Sequence, residues 1–388
     1  MNNRLVELDS LRGIAALTVF CSHIYLVFNE TLLMKILFEY GPLRVFTAGS
    51  EAVTLFFVLS GFVLSFPFIT NKPFNYFGYF IKRLCRIYLP YLAAFLLAII
   101  SWRLFYTKEI VGLSNWFNVN WSQSINFNTI LVHIVLVKTF MSNLNNVIWS
   151  LVHEMRISLF FPIIMYILMR MNFVKGLLFA FLLSVLSMIY FWQTSPNFTG
   201  TESYVSIHYS AIFIVGALLA RYKDNISHKI SSFKITSKLV LFFTGICLYL
   251  YAHPSFILSI IYNDFPPFYR TVIDSWFTSF GAGILIMLAI SSSLFSKILK
   301  NNLIIFLGNI SYSLYLTHLI VLFASIHLLY GVLPMWVILL LVIVITLIVS
   351  SFMYYWVEKP AIKLGKLLIN INIDYQNAWR TKARNSEV

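Results

Sequence analysis

Charge is what this sequence has least of. Of 388 residues, 11% are Asp, Glu, Lys or Arg, against about 25% in an ordinary soluble domain. With 60% of residues hydrophobic, there is too little polar surface to cover a water-soluble globule, and that class is excluded. Cysteine is scarce as well. Cys21, Cys85 and Cys247 lie in or beside apolar runs with no disulfide or metal spacing, so they are expected to be buried small apolar residues. Acidic residues number 14 against 28 basic, a formal charge of +14. The cations fall between apolar runs, as they do in membrane proteins, so no nucleic-acid partner is expected. There is no Walker loop, G-x-S-x-G elbow, HExxH pair or glycine-rich dinucleotide fingerprint. His133, His153, His208, His228, His253 and His327 have no metal-like spacing with carboxylates, and neither a metal nor a permanently bound cofactor is expected.

What the chain does have is a series of apolar runs near twenty residues long. Inside lipid a backbone must satisfy its own hydrogen bonds, so such runs are helices. The reading is an all-α, polytopic helical membrane protein of about ten transmembrane helices. They fall roughly at 11–28, 48–69, 87–105, 149–170, 174–193, 207–221, 237–253, 271–293, 303–327 and 335–357. Lys and Arg crowd one set of connections, among them Arg4, Lys72, Lys82, Arg83, Arg86, Arg221, Lys223, Lys297 and Lys300. The alternate set holds only Lys35, Arg44, Arg103, Lys108, Lys138 and Arg270. That asymmetry places both termini in the cytoplasm. The first run, interrupted by Asp9, Arg12 and His23 and followed by no small-x-small site, is a retained helix rather than a cleaved signal. Residues 1–360 read as one membrane domain. Pro360 ends the last span, and 361–388 form a basic cytoplasmic tail along the inner leaflet.

Four groups of polar residues stand out against this background. In the first span Asp9, Arg12 and His23 share one helical face, with Arg12 and His23 about 16 Å apart along the axis. This puts a cation at the membrane edge and an imidazole near mid-depth. A full charge at the centre costs on the order of 3 kcal/mol, so ionisable residues there are functional candidates by default. In the second group Arg83 and Arg86 are three apart beside Lys82, a spacing that suits either a phosphate clamp or ordinary inner-surface anchoring. The third opens the fourth span: Ser150, Glu154 and Ser158 make a polar stripe facing the bundle about one turn below the outer surface. Arg156 points elsewhere, toward a carboxylate on another helix, and His153 toward the outer interface. A purely structural ion pair is the alternative for Glu154 and Arg156. In the fourth group Ser311, Tyr315 and His318 share a face, either as a site or as interhelical glue. The long connection 106–148, rich in Asn, Trp and Ser with an amphipathic piece at 130–140, reads equally as a cap over an acceptor site or as an interfacial surface loop.

These groups resemble the acyltransferase-3 family of integral membrane acyltransferases, and the resemblance spans nearly the whole chain. Arg12 and His23 resemble its first-helix Arg…His pair, and Phe56-Phe57-Val58-Leu59-Ser60-Gly61-Phe62 its second-helix run. Arg83 and Arg86 resemble its Arg-x-x-Arg, and Trp149-Ser150-Leu151 with Glu154 its W-S-L-x-x-E element. Gly308-Asn309-Ile310-Ser311-Tyr312-Ser313-Leu314-Tyr315 with His318 resembles the late element, and Glu358-x-Pro360 the terminal one. Arg156-Ile157-Ser158 departs from the aromatic residues usual after the Glu. The expected form is the stand-alone one, without an extracellular esterase-like domain.

The resemblance implies transfer of an acyl group, commonly acetyl, from cytoplasmic acyl-CoA to a hydroxyl of a polysaccharide, lipid-linked glycan or other envelope acceptor. It implies a bacterial inner membrane as the location. Acetyl-CoA or another acyl-CoA is then the donor substrate, its phosphates meeting Arg83, Arg86 and Lys82 and its arm passing Arg12. His23 acts as the base, or as first acceptor of the acyl group, with Asp9 and Arg12 in the same catalytic stripe. Glu154 holds the acceptor or the protonated His23. Ser150, Arg156, Tyr315 and His318 are expected to bind the acceptor. A proton-coupled secondary transporter or glycan flippase is the alternative, since intramembrane His, Glu and Arg suit both. No inverted repeat supports it.

Overall fold

The computed structural model describes residues 5–70, 74–122, 125–136, 143–194, 200–262 and 265–370. Arg4, Lys72, Lys138, the last part of the 130–140 piece and the tail from 371 lie outside the described residues. Within them the regular structure is helical, without β-strands.

A long helix occupies each of the ten expected spans. They are labelled here together with two short helices of the long connection and the outer arm of a broken span: α1 (Val6–Leu26), α2 (Gly49–Leu64), α3 (Tyr76–Phe105), α4 (Asn115–Val119), α5 (Phe127–Val135), α6 (Ile148–Leu168), α7 (Phe173–Thr194), α8 (Ser203–Arg221), α9 (Ile235–Leu250), α10 (Pro254–Ile261), α11 (Pro267–Ser291), α12 (Asn302–Leu329) and α13 (Met335–Asn370). Among the described residues eight helices are long and apolar enough to cross a membrane, and α9 with α10 make a ninth, bent by 40°. The first helix has the length, 21 residues, but carries Asp9, Arg12 and His23.

Two glycine crossings set the centre of the bundle. A β-carbon on Gly13 would stand 2.4 Å from the Gly308 nitrogen, and one on Gly308 would stand 2.6 Å from the Asp9 carbonyl oxygen. Helices α1 and α12 therefore touch backbone to backbone, the close approach that small residues permit inside membranes. Ten residues beyond each glycine, about 15 Å up both helices, stand His23 and His318. The crossing thus sets the register that brings the two rings together. A second contact, Gly61 against the Phe213 carbonyl and Gly216 against that of Val58, locks α2 to α8 in the same way. Gly13→Val is expected to wedge the first crossing apart, costing about 1–3 kcal/mol and lowering the thermal midpoint in detergent. An unchanged midpoint would show that the helices are free to separate.

Several details differ from the sequence reading. The last helix does not stop at Pro360 but runs on to Asn370. A π-helical stretch, Tyr354–Glu358, precedes the proline, and the Lys359 N–H bonds back five residues to Tyr354. That shifted register absorbs the missing proline N–H, and wider turns of this kind are frequent at functional sites. Cys85 is buried, Cys21 is half-buried and Cys247 is exposed on α9, because a lipid-facing side tolerates a thiol as readily as a core does.

The break between α9 and α10 is pinned by charge. Arg44 donates to Glu51 (2.6 Å) and to the Leu250 carbonyl, and His253 contacts Glu51 (3.0 Å) and Asp274 (3.4 Å). Ser255 donates to Asp274 at 2.5 Å. Periodicity shows none of this, since the partners come from four separate segments.

Candidate active site

The site is a polar seam along α1, α3, α6 and α12. At the amino-terminal end of α1, Arg12 lies 3.6 Å from Asp9 one turn earlier. It also stands within electrostatic reach of Arg83, Arg86 and Glu154. Three guanidinium groups from two helices therefore converge on one end of the bundle.

Arg83 and Arg86 point different ways there. The helix turns π-helical at Leu84–Tyr88, between the two. Arg83 turns inward and donates to Glu154 Oε1 (2.9 Å) and Ser158 Oγ (2.7 Å), while Arg86 and Lys82 stay exposed. Ser60, from the second-helix run, donates to the same Glu154 oxygen at 3.2 Å. Glu154 is therefore joined to the basic end. The Arg83 Nε–H is buried without a partner among the described residues.

The polar stripe on α6 does face inward. Ser150 shares a hydrogen bond of 2.7 Å with the Tyr315 hydroxyl, and Ser158 donates to the Glu154 carbonyl. Arg156 is not part of this group. It donates to the Thr201 carbonyl (2.6 Å) and Ser206 Oγ (3.1 Å) at the start of α8. His153, expected at the interface, is fully buried, bonded to Ser206 and to the Gly200 carbonyl. The α8 end covers it, which spacing along α6 alone does not show.

His23 stands in the last turn of α1. Its Nδ1 lies 2.9 Å from His318 Nε2, and the His318 Nδ1 lies 2.9 Å from the Leu314 carbonyl. His318 is fully buried, whereas His23 is half-buried. Above them sits Trp116, its indole 5.4 Å from the His23 ring and 17° from parallel. This tryptophan rides on α4, in the long connection, and Ser114 fastens α4 to the end of α1 through the Leu26 and Val27 carbonyls. Part of that connection therefore does lie over His23.

Sequence reasoning missed Trp116, and it named Ser60 and Phe56 within the second-helix run without giving either a role. Phe56 packs edge-on against Tyr315, with ring centroids 5.6 Å apart. The aromatic richness of the 106–148 segment was the signal available for Trp116. Tyr312, next to the stripe, ties α12 to α3 through the Ile87 carbonyl at 2.7 Å. Glu358 is buried and accepts from Ser313 at 2.7 Å. No group of three or more His, Cys, Asp or Glu among the described residues has metal-binding geometry.

The fold and this seam define an integral membrane protein with a pair of contacting imidazoles at one end of a polar seam and a cluster of arginines at the other. A family model described as an acyltransferase domain matches residues 5–355. The chain belongs to the acyltransferase-3 family and is a membrane acyltransferase. No curated protein and no solved structure matches it.

Proposed function

We propose that this acyltransferase moves an acyl group, acetyl in the simplest case, from cytoplasmic acyl-CoA to a hydroxyl of a glycan or other cell-envelope acceptor. The observation that carries the reading is the seam itself. Three arginines gather at one end, and a partly accessible imidazole stands eleven residues further along the same helix. A polyanionic donor is drawn to such an end by charge, and Arg binds phosphate through paired N–H groups. Arg86 and Lys82 are exposed for that purpose, Arg12 flanks the path inward, and Arg83 offers its unpaired Nε–H.

The basic end faces the cytoplasm in this proposal, in keeping with the distribution of Lys and Arg. Between Arg12 and His23 lie about 16 Å of helix, a length suited to the thin arm of CoA. At His23 the acceptor O–H gives its proton to the imidazole as its oxygen attacks the thioester carbon. The tetrahedral adduct collapses, the C–S bond breaks, and the CoA sulfur leaves with that proton. General-base help of this kind is worth about 10²–10⁴-fold. Transfer through an acyl-His23 intermediate uses the same contacts in two steps. Ser150, Tyr315 and the Trp116 indole border the acceptor side.

Purified protein given acetyl-CoA radiolabelled on the acetyl group and a panel of cell-envelope glycans should move the label to a glycan hydroxyl. Label remaining on CoA with every acceptor would overturn the reading and favour transport. Arg86→Ala should raise the KM for acetyl-CoA about tenfold with kcat little changed, the loss of one charge-assisted phosphate contact. An unchanged KM would remove Arg86 from the donor site.

A further inference from the structure

We propose that His318 is the positioning residue that fixes the tautomer of His23 and shares the positive charge His23 acquires in the reaction. The proposal rests on the reading of His23 as the base and adds a second imidazole to it.

A backbone carbonyl fixes the first of the protons. The Leu314 oxygen lies 2.9 Å from His318 Nδ1, and a carbonyl oxygen only accepts. His318 Nδ1 must therefore carry the hydrogen. In a neutral imidazole one nitrogen is a donor and the other an acceptor, so His318 Nε2 is bare. That bare nitrogen is 2.9 Å from His23 Nδ1, which must in turn carry a hydrogen. The lone pair of His23 is thereby placed on Nε2, away from His318. The Leu314 carbonyl thus sets the His318 tautomer, and His23 has two acceptors beside it, the bare His318 Nε2 and the Val19 carbonyl one turn earlier on α1. The same logic operates wherever one nitrogen's hydrogen bond decides which other nitrogen reacts.

The surroundings support this assignment. His318 is fully buried, with Phe20 and Tyr315 against its ring, so it has little freedom to flip. His23 remains partly accessible. The buried ring thus orients, and the accessible ring reacts. When His23 Nε2 takes the acceptor's proton, the imidazolium it becomes still points Nδ1–H at the bare Nε2 of His318. The hydrogen bond becomes charge-assisted at that moment, and such bonds are roughly twice as strong as neutral ones. Because the bond strengthens as the reaction proceeds, it acts on kcat more than on donor binding. No proton is lost from the pair. It passes from the acceptor hydroxyl to His23 Nε2 and leaves on the CoA sulfur.

The test uses two variants in the full-length protein. His318→Gln keeps an acceptor oxygen near the position of Nε2, whereas His318→Leu removes it. Turnover is read as CoA thiol released from acetyl-CoA, with a simple methyl glycoside as acceptor and His23→Ala as the blank. Binding of acetyl-CoA is measured separately, as a check that the variants are folded. His318→Leu should lower kcat about a hundredfold, at the lower end of general-base effects, with the KM for acetyl-CoA within about twofold. His318→Gln should recover kcat to within about tenfold of wild type. Wild-type kcat in His318→Leu would overturn the proposal. So would a His318→Gln protein that binds acetyl-CoA normally yet turns over no faster than His318→Leu. If His318→Leu fails to bind donor, His318→Gln decides alone, with turnover within tenfold supporting the proposal and a lower value overturning it. Failure of the broader reading looks different, because the wild-type protein itself would then release no more thiol than the His23→Ala blank.

Discussion

His23→Ala is expected to lower acyl transfer about 10³-fold, within the range for loss of a general base, while the protein stays folded in the membrane. The two parts of this expectation have separate causes. His23 is half-buried, and its ring bonds to His318 and to the Val19 carbonyl of its own helix, so its removal takes little packing with it. What it leaves behind is an unpaired His318 Nε2, a loss of about 1–3 kcal/mol in stability. A thermal midpoint in detergent measures that loss, and release of CoA thiol measures the activity. Near-normal turnover in a folded His23→Ala protein would remove this imidazole from the chemistry.

The second large effect is structural. Arg83 and Glu154 pair at 2.9 Å with side chains 12% and 21% exposed, supported by Ser60 and Ser158. Removing one partner strands a charge inside the bundle, so Arg83→Met and Glu154→Leu should each cost about 3–5 kcal/mol. The double variant should recover more than half of the summed loss, because it strands neither. A double-mutant cycle on thermal stability isolates the pair. Additive losses would mean that the two charges are solvated independently and that the seam is open water at that depth. The cycle also separates two roles for Arg83. Should it serve the donor as well as Glu154, Arg83→Met will raise the KM for acetyl-CoA more than Glu154→Leu does.

Much of this architecture was legible in the sequence because lipid imposes simple rules. Twenty-residue apolar runs gave the ten long helices, and the stripes Asp9–Arg12–His23 and Ser150–Glu154–Ser158 were visible as period-3.6 patterns against apolar neighbours. Other features depend on which helix lies beside which. Arg83 looked like a surface clamp because its spacing to Arg86 assumed a regular helix, and the π-helical turn at 84–88 sends the two apart. The His23–His318 contact joins residues 295 positions apart. Gly13 and Gly308 set it up, and their meaning emerges only once the two helices are seen to touch. Pro360 misled because a π-register turn excuses the N–H it lacks. Trp116 stands on a helix of five residues, too short for any periodicity to point to a target.

The most direct measurement uses the protein reconstituted in sealed vesicles with one orientation. Acetyl-CoA labelled on the acetyl group is supplied only on the side of Arg86, and a glycan acceptor is enclosed only on the other. The account predicts labelled glycan within the vesicles and unlabelled CoA outside, both abolished by His23→Ala. Labelled glycan formed only when donor and acceptor share one side would contradict it.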